Sequence, residues 1–442
     1  MRMFINLTLI TIISSTCQTK HNQLLIGHFE GRFEYKNKKL NAVIDFEYHN
    51  GIPEAFISIP SNLQVNKPFT TVEYNPPDIK LKMNDEDLPI TIRATLHQDT
   101  IDGKLDGNIP ASIHLIKAAK YIQPEKPYSI EKVILNNEGT ELAANFYLPK
   151  TNLTSAAIIM VAGSGNHTKE EYNGAADLFA SRGIATLTFD KRNVTGRKGL
   201  NLKYINSDIT SMKDLVRDVE TAFNFLKTKK EINQTKIGLM GFSLGAVEVP
   251  IVAANHPDVT FLVAISGNVT TDKEFIINQG LNKYRENNYD IQTMNKADAL
   301  YNDLFSYAKN RLNKEALQAK LDKAYTEKWG QLCFPSEVPN EDELNHLLTW
   351  NNFEFDPAYY WKKIHVPCLV AYGEKDKYIP VERSVEILQK IFDGKKELLT
   401  LKIYTNSDHT IRTVAGKADF EFPKYADGYI NDVLTWLLKQ TK

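Results

Sequence analysis

The chain is 442 residues long, with 53 basic and 54 acidic side chains, a formal net charge of −1, 42% hydrophobic and 10% aromatic residues, and three cysteines. Such a length holds about two to three domains of ordinary size, and the balanced charge excludes a basic nucleic-acid footprint or an acidic solvating tail. The apolar fraction excludes wholesale disorder. Cysteines at 17, 333 and 368 are too few for a disulfide framework or a Cys-type zinc site.

Met1 and Arg2 precede an apolar run from Phe4 to Ile13, broken only by Asn6, Thr8 and Thr11, and then come Ser14, Ser15, Thr16 and Cys17. Such a run is too short for a bilayer core of about 30 Å and has the character of a signal-peptide apolar region. Small residues leading into a cysteine resemble a bacterial lipoprotein signal. The expectation is a signal over 1–17, export to the periplasm or cell envelope, and membrane anchoring by a lipidated Cys17. The alternative is a buried N-terminal strand with an ordinary cysteine.

Residues 18–125 alternate in polarity. Phe29, Gly31, Phe33 and Tyr35 share one face and Glu30, Arg32 and Glu34 the other, and Asn50-Gly51 and Asp102-Gly103 punctuate the run. Period-two patterning with such turns predicts antiparallel hairpins in an all-β module, a small sandwich or an open barrel. Its role as spacer, substrate-side wall or carbohydrate-facing accessory is open, and a structural appendage is the simplest reading.

From 126 to 442 the pattern changes. A hairpin over Ser129–Leu135 and Leu142–Leu148 comes first. Short apolar runs then alternate with helical periodicities, which predicts parallel strands buried on both faces with crossover helices. The strands fall at Ala157–Val161, Ala185–Phe189, Ile237–Met240, Phe261–Ile265, Cys368–Tyr372 and Leu399–Tyr404. Met212, Leu215, Val216, Val219, Phe223 and Leu226 form one helical stripe. From about 268 to 360 the alternation gives way to polar helical sequence, an insertion on the α/β core.

Gly241-Phe242-Ser243-Leu244-Gly245 follows one predicted strand and precedes a helical stretch. In that setting Gly-x-Ser-x-Gly is a nucleophile elbow, a turn too sharp for side chains two residues either side of the serine. The serine needs a base and the base an orienting carboxylate. In the order Ser, acid, His, Asp376 lies just past the strand Cys368–Tyr372, and His409, the only histidine after it, just past Leu399–Tyr404. Glu374 is the rival acid and Asp408 a rival contact to the imidazole; both read more simply as turn residues. Two N–H groups are needed for the oxyanion. Leu244 supplies one, and the loop Ala162-Gly163-Ser164-Gly165 the other, from Ser164 with Gly165 as second choice. His167 reads as a solvent-facing loop histidine or, alternatively, a lining of the pocket entrance.

Gly163-Ser164-Gly165, Asp190-Lys191-Arg192, Gly241-Phe242-Ser243-Leu244-Gly245 and Gly373-Glu374-Lys375-Asp376 together resemble the α/β-hydrolase superfamily, in the branch of bacterial serine hydrolases related to dienelactone hydrolases and acyl esterases. The resemblance covers about half the chain. It implies a mostly parallel sheet flanked by helices, with a helical lid at 268–360 beside the N-terminal all-β module, and scaffold ion pairs for Asp190 and Arg192. Ala162, Phe242 and Asn193-Val194-Thr195-Gly196 depart from the usual motifs without touching Ser243, Asp376 or His409.

The chemistry implied is carboxylic-ester hydrolysis through an acyl-enzyme on a small-molecule or saccharide ester, with neither metal nor organic cofactor and no nucleic-acid partner. A serine peptidase on the same fold and a non-catalytic surface binding lipoprotein are the alternatives. The insertion's aromatics, among them Tyr284, Tyr301, Tyr307, Trp329 and Trp350, either line an acyl or sugar pocket or pack the insertion down.

Overall fold

A computed structural model describes residues 25–49, 51–83, 90–106, 111–118, 124–151, 153–192, 194–198, 201–204, 211–344, 355–414 and 420–442. The expected signal over 1–17 with Cys17, and Trp350 of the insertion, lie outside the described residues.

Nine strands, β1 (Gly27–Tyr35), β2 (Lys38–His49), β3 (Ile52–Ile59), β4 (Gln64–Pro68), β5 (Thr71–Asn75), β6 (Asp78–Met83), β7 (Ile90–His97), β8 (Thr100–Leu105) and β9 (Ser112–Lys117), form one antiparallel sheet in the order β4-β3-β2-β1-β9-β8-β7-β6-β5. β4 and β5 stand at opposite edges yet only Phe69 and Thr70 separate them in the chain. The sheet must therefore curl until its edges meet, and the Phe69 N–H donates to the Ala55 carbonyl of β3 at 2.9 Å. Of the two shapes open in the sequence, this is the barrel. Alternation fills its interior with Phe29, Phe33, Ile44, Phe46, Ile57, Ile92 and Leu115, all nearly excluded from solvent.

The second unit is built on eight strands: β10 (Tyr128–Asn137), β11 (Thr140–Pro149), β12 (Ser155–Val161), β13 (Ile184–Phe189), β16 (Ile232–Phe242), β17 (Val259–Ile265), β18 (Cys368–Gly373) and β19 (Leu399–Tyr404), ordered β10-β11-β13-β12-β16-β17-β18-β19. β14 (Val194–Lys198) and β15 (Asn201–Tyr204) make a separate hairpin. β10, β11 and β13 pair antiparallel, and from β13 to β19 every pairing is parallel. Parallel strands need both faces covered. The helices are α1 (Asn173–Ala180), α2 (Met212–Lys227), α3 (Gly245–Asn255), α4 (Asp272–Glu286), α5 (Ile291–Asn310), α6 (Lys314–Thr326), α7 (Pro357–Trp361), α8 (Val381–Ile391) and α9 (Tyr429–Thr441), and those outside α4 to α6 divide this task. One face packs on α2, α3, α7 and α8 through Val219, Phe223, Val249, Trp361 and Leu388. The other packs on α1 and α9 through Phe179, Tyr429, Val433 and Leu437.

The insertion comprises α4 to α6 and the turns after them. Most of its described aromatics pack among themselves: Tyr284, Tyr307, Trp329 and Phe334 close a small core of the insertion's own with Leu300, Leu317 and Leu321, while Phe275 packs against the main core. The predicted span of 268–360 is too long at its far end, because α7 packs through Ala358 and Trp361 into the main core.

A polar clamp joins the first hairpin to this unit. The Asp218 carboxylate on α2 accepts from Arg192 Nε at 2.7 Å and Nη2 at 2.8 Å and from Asn137 Nδ2 at 2.6 Å, and Asp190 accepts the Lys169 N–H at 2.9 Å. Asp190 and Arg192 thus act as scaffold, as the resemblance implied. Removing one partner of a buried, hydrogen-bonded pair strands the other. Asp218→Ala is expected to cost about 3–5 kcal/mol, measured as a lower urea midpoint, whereas a surface change such as Lys396→Ala leaves the midpoint in place.

Candidate active site

The elbow sits at the carboxyl end of β16. Ser243 has φ +53°, a left-handed conformation that costs a non-glycine residue about 1–3 kcal/mol. Its N–H donates to Ile265 O of β17 at 2.8 Å, and its carbonyl accepts the Ala246 N–H at 3.0 Å, so sheet and helix together hold the turn. A Cβ on Gly241 would stand 2.2 Å from Gly245 O, and one on Gly245 only 2.4 Å from Val161 O. The two glycines are required by backbone crowding, one within the turn and one against β12.

Three loops at the same sheet end bring the predicted side chains together. Ser243 Oγ and His409 Nε2 are 2.9 Å apart, and His409 Nδ1 and Asp376 Oδ2 2.7 Å. A carboxylate only accepts, so Nδ1 carries the proton toward Asp376 and Nε2 is left to accept from the serine hydroxyl. The Asp376 side chain is fully excluded from solvent, and its other oxygen accepts the N–H groups of Tyr378 at 2.8 Å and Ile379 at 3.0 Å. Ser266 Oγ donates to His409 O at 2.7 Å, and the Tyr378 ring packs edge-on against the imidazole at 5.2 Å. Glu374 turns away and accepts the Asn406 N–H at 2.9 Å, which holds its carboxyl below the usual range. Asp408 caps its own turn by accepting from the backbones of Thr410 and Arg412.

The loop after β12 runs directly against the nucleophile, since a Cβ on Gly163 would be 3.2 Å from the Ser243 Cβ. Neither the Ser164 nor the Leu244 backbone N–H has a hydrogen-bond acceptor among the described residues. His167 is not a solvent-facing histidine. It lies half-buried with Nε2 2.6 Å from Ser164 O and Nδ1 2.8 Å from Glu171 Oε2. Both ring nitrogens face acceptors, so the ring satisfies both contacts only when doubly protonated. Lys191 Nζ donates to Gly163 O from beneath. Lys191 carries no signal in the sequence beyond its place in Asp-Lys-Arg, whereas His167 lines the cavity, as its alternative reading had it.

A cavity of about 660 Å³ opens over Ser243 and His409, within the usual size for small-molecule sites. Phe179, Met240, Phe242 and Ile265 form its apolar floor, Phe275 and Gln279 of α4 reach it from the insertion, and Leu63 and Lys67 reach it from the β barrel. Among the described residues no cluster of three His, Cys, Asp or Glu side chains has the spacing to hold a metal.

A family model described as X-Pro dipeptidyl-peptidase (S15 family) matches residues 138–409. The chain is 23% identical over 265 residues to an uncharacterized 31.7 kDa protein in the traX-finO intergenic region of Escherichia coli, covering 58% of this chain and 85% of that one. It is 24% identical over 333 residues to the esterase EstD of Thermotoga maritima, covering 72% and 69%. Among solved structures it is similar to a 2,6-dihydroxy-pseudo-oxynicotine hydrolase with a TM-score of 0.44 and 16% identity, covering 72% of this chain and 68% of the other.

One turn beyond the nucleophile, Glu248 is completely buried, and its Oε1 has no hydrogen-bond partner among the described residues. Burial pushes its carboxyl up to about 8, against the pull of nearby Lys191. In the unfolded chain the group ionises near 4.5, so between these values the folded state binds the extra proton and stability falls as pH rises. Its contribution is complete below about 4.5 and gone above about 8. Thermal unfolding of Glu248→Gln is therefore expected to depend less steeply on pH between 5 and 8 than that of the wild type; parallel profiles would refute the assignment.

Proposed function

This chain belongs to the X-Pro dipeptidyl-peptidase (S15) family and is a hydrolase of the α/β-hydrolase type, and from that premise we propose that it cleaves carboxylic esters through an acyl-enzyme on Ser243. The observation that carries this reading is the continuous chain of hydrogen bonds from Ser243 Oγ through His409 to the buried Asp376.

His409 Nε2 takes the hydroxyl proton as Ser243 Oγ attacks the acyl carbon, while Asp376 holds the ring in the required tautomer. The carbonyl π electrons move to oxygen, and the unoccupied N–H groups of Leu244 and Ser164 receive the oxyanion. Each such donor is typically worth about 10²–10³ in rate. Collapse of the intermediate breaks the bond to the alkoxy oxygen, which leaves with the proton from His409. Water then attacks the acyl-serine, giving its proton to His409, and collapse of this second intermediate breaks the acyl–Oγ bond, releasing the acid as His409 returns the proton to Ser243 Oγ. α4, whose Asn282 side chain donates to Lys377 O at 2.5 Å beside the Asp376 loop, acts as the lid over this site.

The family match favours a second reading, a peptidase of the X-Pro type. The two are separable by comparing 4-nitrophenyl butyrate with aminoacyl-proline 4-nitroanilides. Ester turnover is expected to exceed anilide turnover. Ser243→Ala and His409→Gln should each lower ester kcat by about 10⁴-fold or more, and a fluorophosphonate probe should label the wild type and not Ser243→Ala. Labelling that survives in Ser243→Ala would refute the assignment of the nucleophile.

A further inference from the structure

Resting on that hydrolase reading, we infer that the catalytic cavity, lined jointly by the hydrolase unit and the β barrel, takes esters carrying an anionic group such as a carboxylate, held by Arg412.

The barrel is docked where this requires. Its turn at Leu63 meets α1 so closely that a Cβ on Gly174 would stand 1.5 Å from Leu63 O, a contact only glycine permits. Asn173 Nδ2 donates to Asn66 O at 3.3 Å. On the other side, residues 420–423 are fastened to the barrel. Lys38 Nζ donates to Phe420 O at 2.7 Å, Asn62 Nδ2 donates to Pro423 O at 2.8 Å, and Phe422 packs against the barrel core. Through these contacts the barrel presents Leu63 and Lys67 to the cavity and steadies the strap that carries Arg412.

Arg412 lies three residues beyond His409 and lines the same cavity. Its backbone is fixed by Asp408, with Arg412 N–H donating to Asp408 Oδ1 at 3.0 Å and Asp408 N–H donating to Arg412 O at 2.8 Å. The guanidinium lies over the Tyr425 ring at 5.6 Å, and no carboxylate pairs with it among the described residues. Of the cavity's lining residues one is acidic, Glu171, and its oxygens are taken by His167 Nδ1 at 2.8 Å and the Thr168 N–H at 2.9 Å. An arginine beside an apolar floor offers a carboxylate two parallel charge-assisted hydrogen bonds and offsets its loss of water. The same field disfavours a free amino terminus, which sets this pocket apart from one built for the amino end of a peptide.

The test compares matched pairs of esters, one member bearing a free carboxylate and the other its methyl ester. One pair carries the group on the acyl side (4-nitrophenyl hydrogen glutarate) and one on the alcohol side (3-carboxyphenyl butyrate). Wild-type kcat/KM, corrected for spontaneous hydrolysis, is expected to favour the carboxylate member at least tenfold in one pair, which identifies the side that is bound. Arg412→Met should reduce that ratio several-fold, and Arg412→Lys should retain part of it. Added salt should reduce the ratio in the wild type. Ratios within twofold in both pairs, with turnover still dependent on Ser243, would overturn this inference and leave the hydrolase reading intact. Failure of the wild type to hydrolyse any of the four, with no labelling of Ser243, would overturn both.

Discussion

Everything in the catalytic half of this molecule depends on one strained residue. Ser243 is held at φ +53° where a strand turns directly into a helix. The strain persists because its surroundings over-determine it: an N–H held by the neighbouring strand, a carbonyl held by the following helix, and crowding that admits only glycine two residues either side. The turn lifts the hydroxyl above the sheet edge, and the parallel order of β12 to β19 places the loops carrying Gly163–Gly165, Asp376 and His409 around it.

Beneath that edge lies a polar layer unusual for an α/β interior. Lys191 reaches up to the glycine loop, Glu248 is buried behind the elbow, and Asp218 binds Arg192 and Asn137. Such groups are costly unless paired, so their retention here is explained by what they hold. His167 and Lys191 engage successive carbonyls, Ser164 O and Gly163 O. With those carbonyls engaged, the loop is held in place beside Ser243.

The two accessory parts contribute unequally. The insertion carries its own apolar core and reaches the cavity with Phe275 and Gln279; its other aromatics stabilise the insertion. The barrel, built on a core separate from that of the sheet, meets the hydrolase unit along α1 and along the strap after His409. A barrel whose own side chains are consumed internally has little to offer a substrate except at its ends and turns. The turn at Leu63–Lys67 is such a place.

The sequence alone determined whatever depends on local geometry. Gly241 and Gly245 around a serine describe a backbone turn regardless of context, and runs of buried aliphatics mark strands covered on both faces, so the elbow, the strands around it and the positions of Ser243, Asp376 and His409 at strand ends were legible. Alternating polarity from Phe29 onward likewise marked the antiparallel module, though the choice between sandwich and barrel waited on the pairing that brings β4 and β5 together. Tertiary structure alone decided which polar groups share a site. His167 reads as an ordinary loop residue until Ser164 O and Glu171 close around it, and the insertion's aromatics fit a pocket wall or a core equally well until their neighbours are known. Lys67 and Arg412 are 345 positions apart in the chain and line one cavity because a barrel docks on a strap. Side-chain periodicity records which face is buried, and carries no information about what a distant segment will bring to meet it.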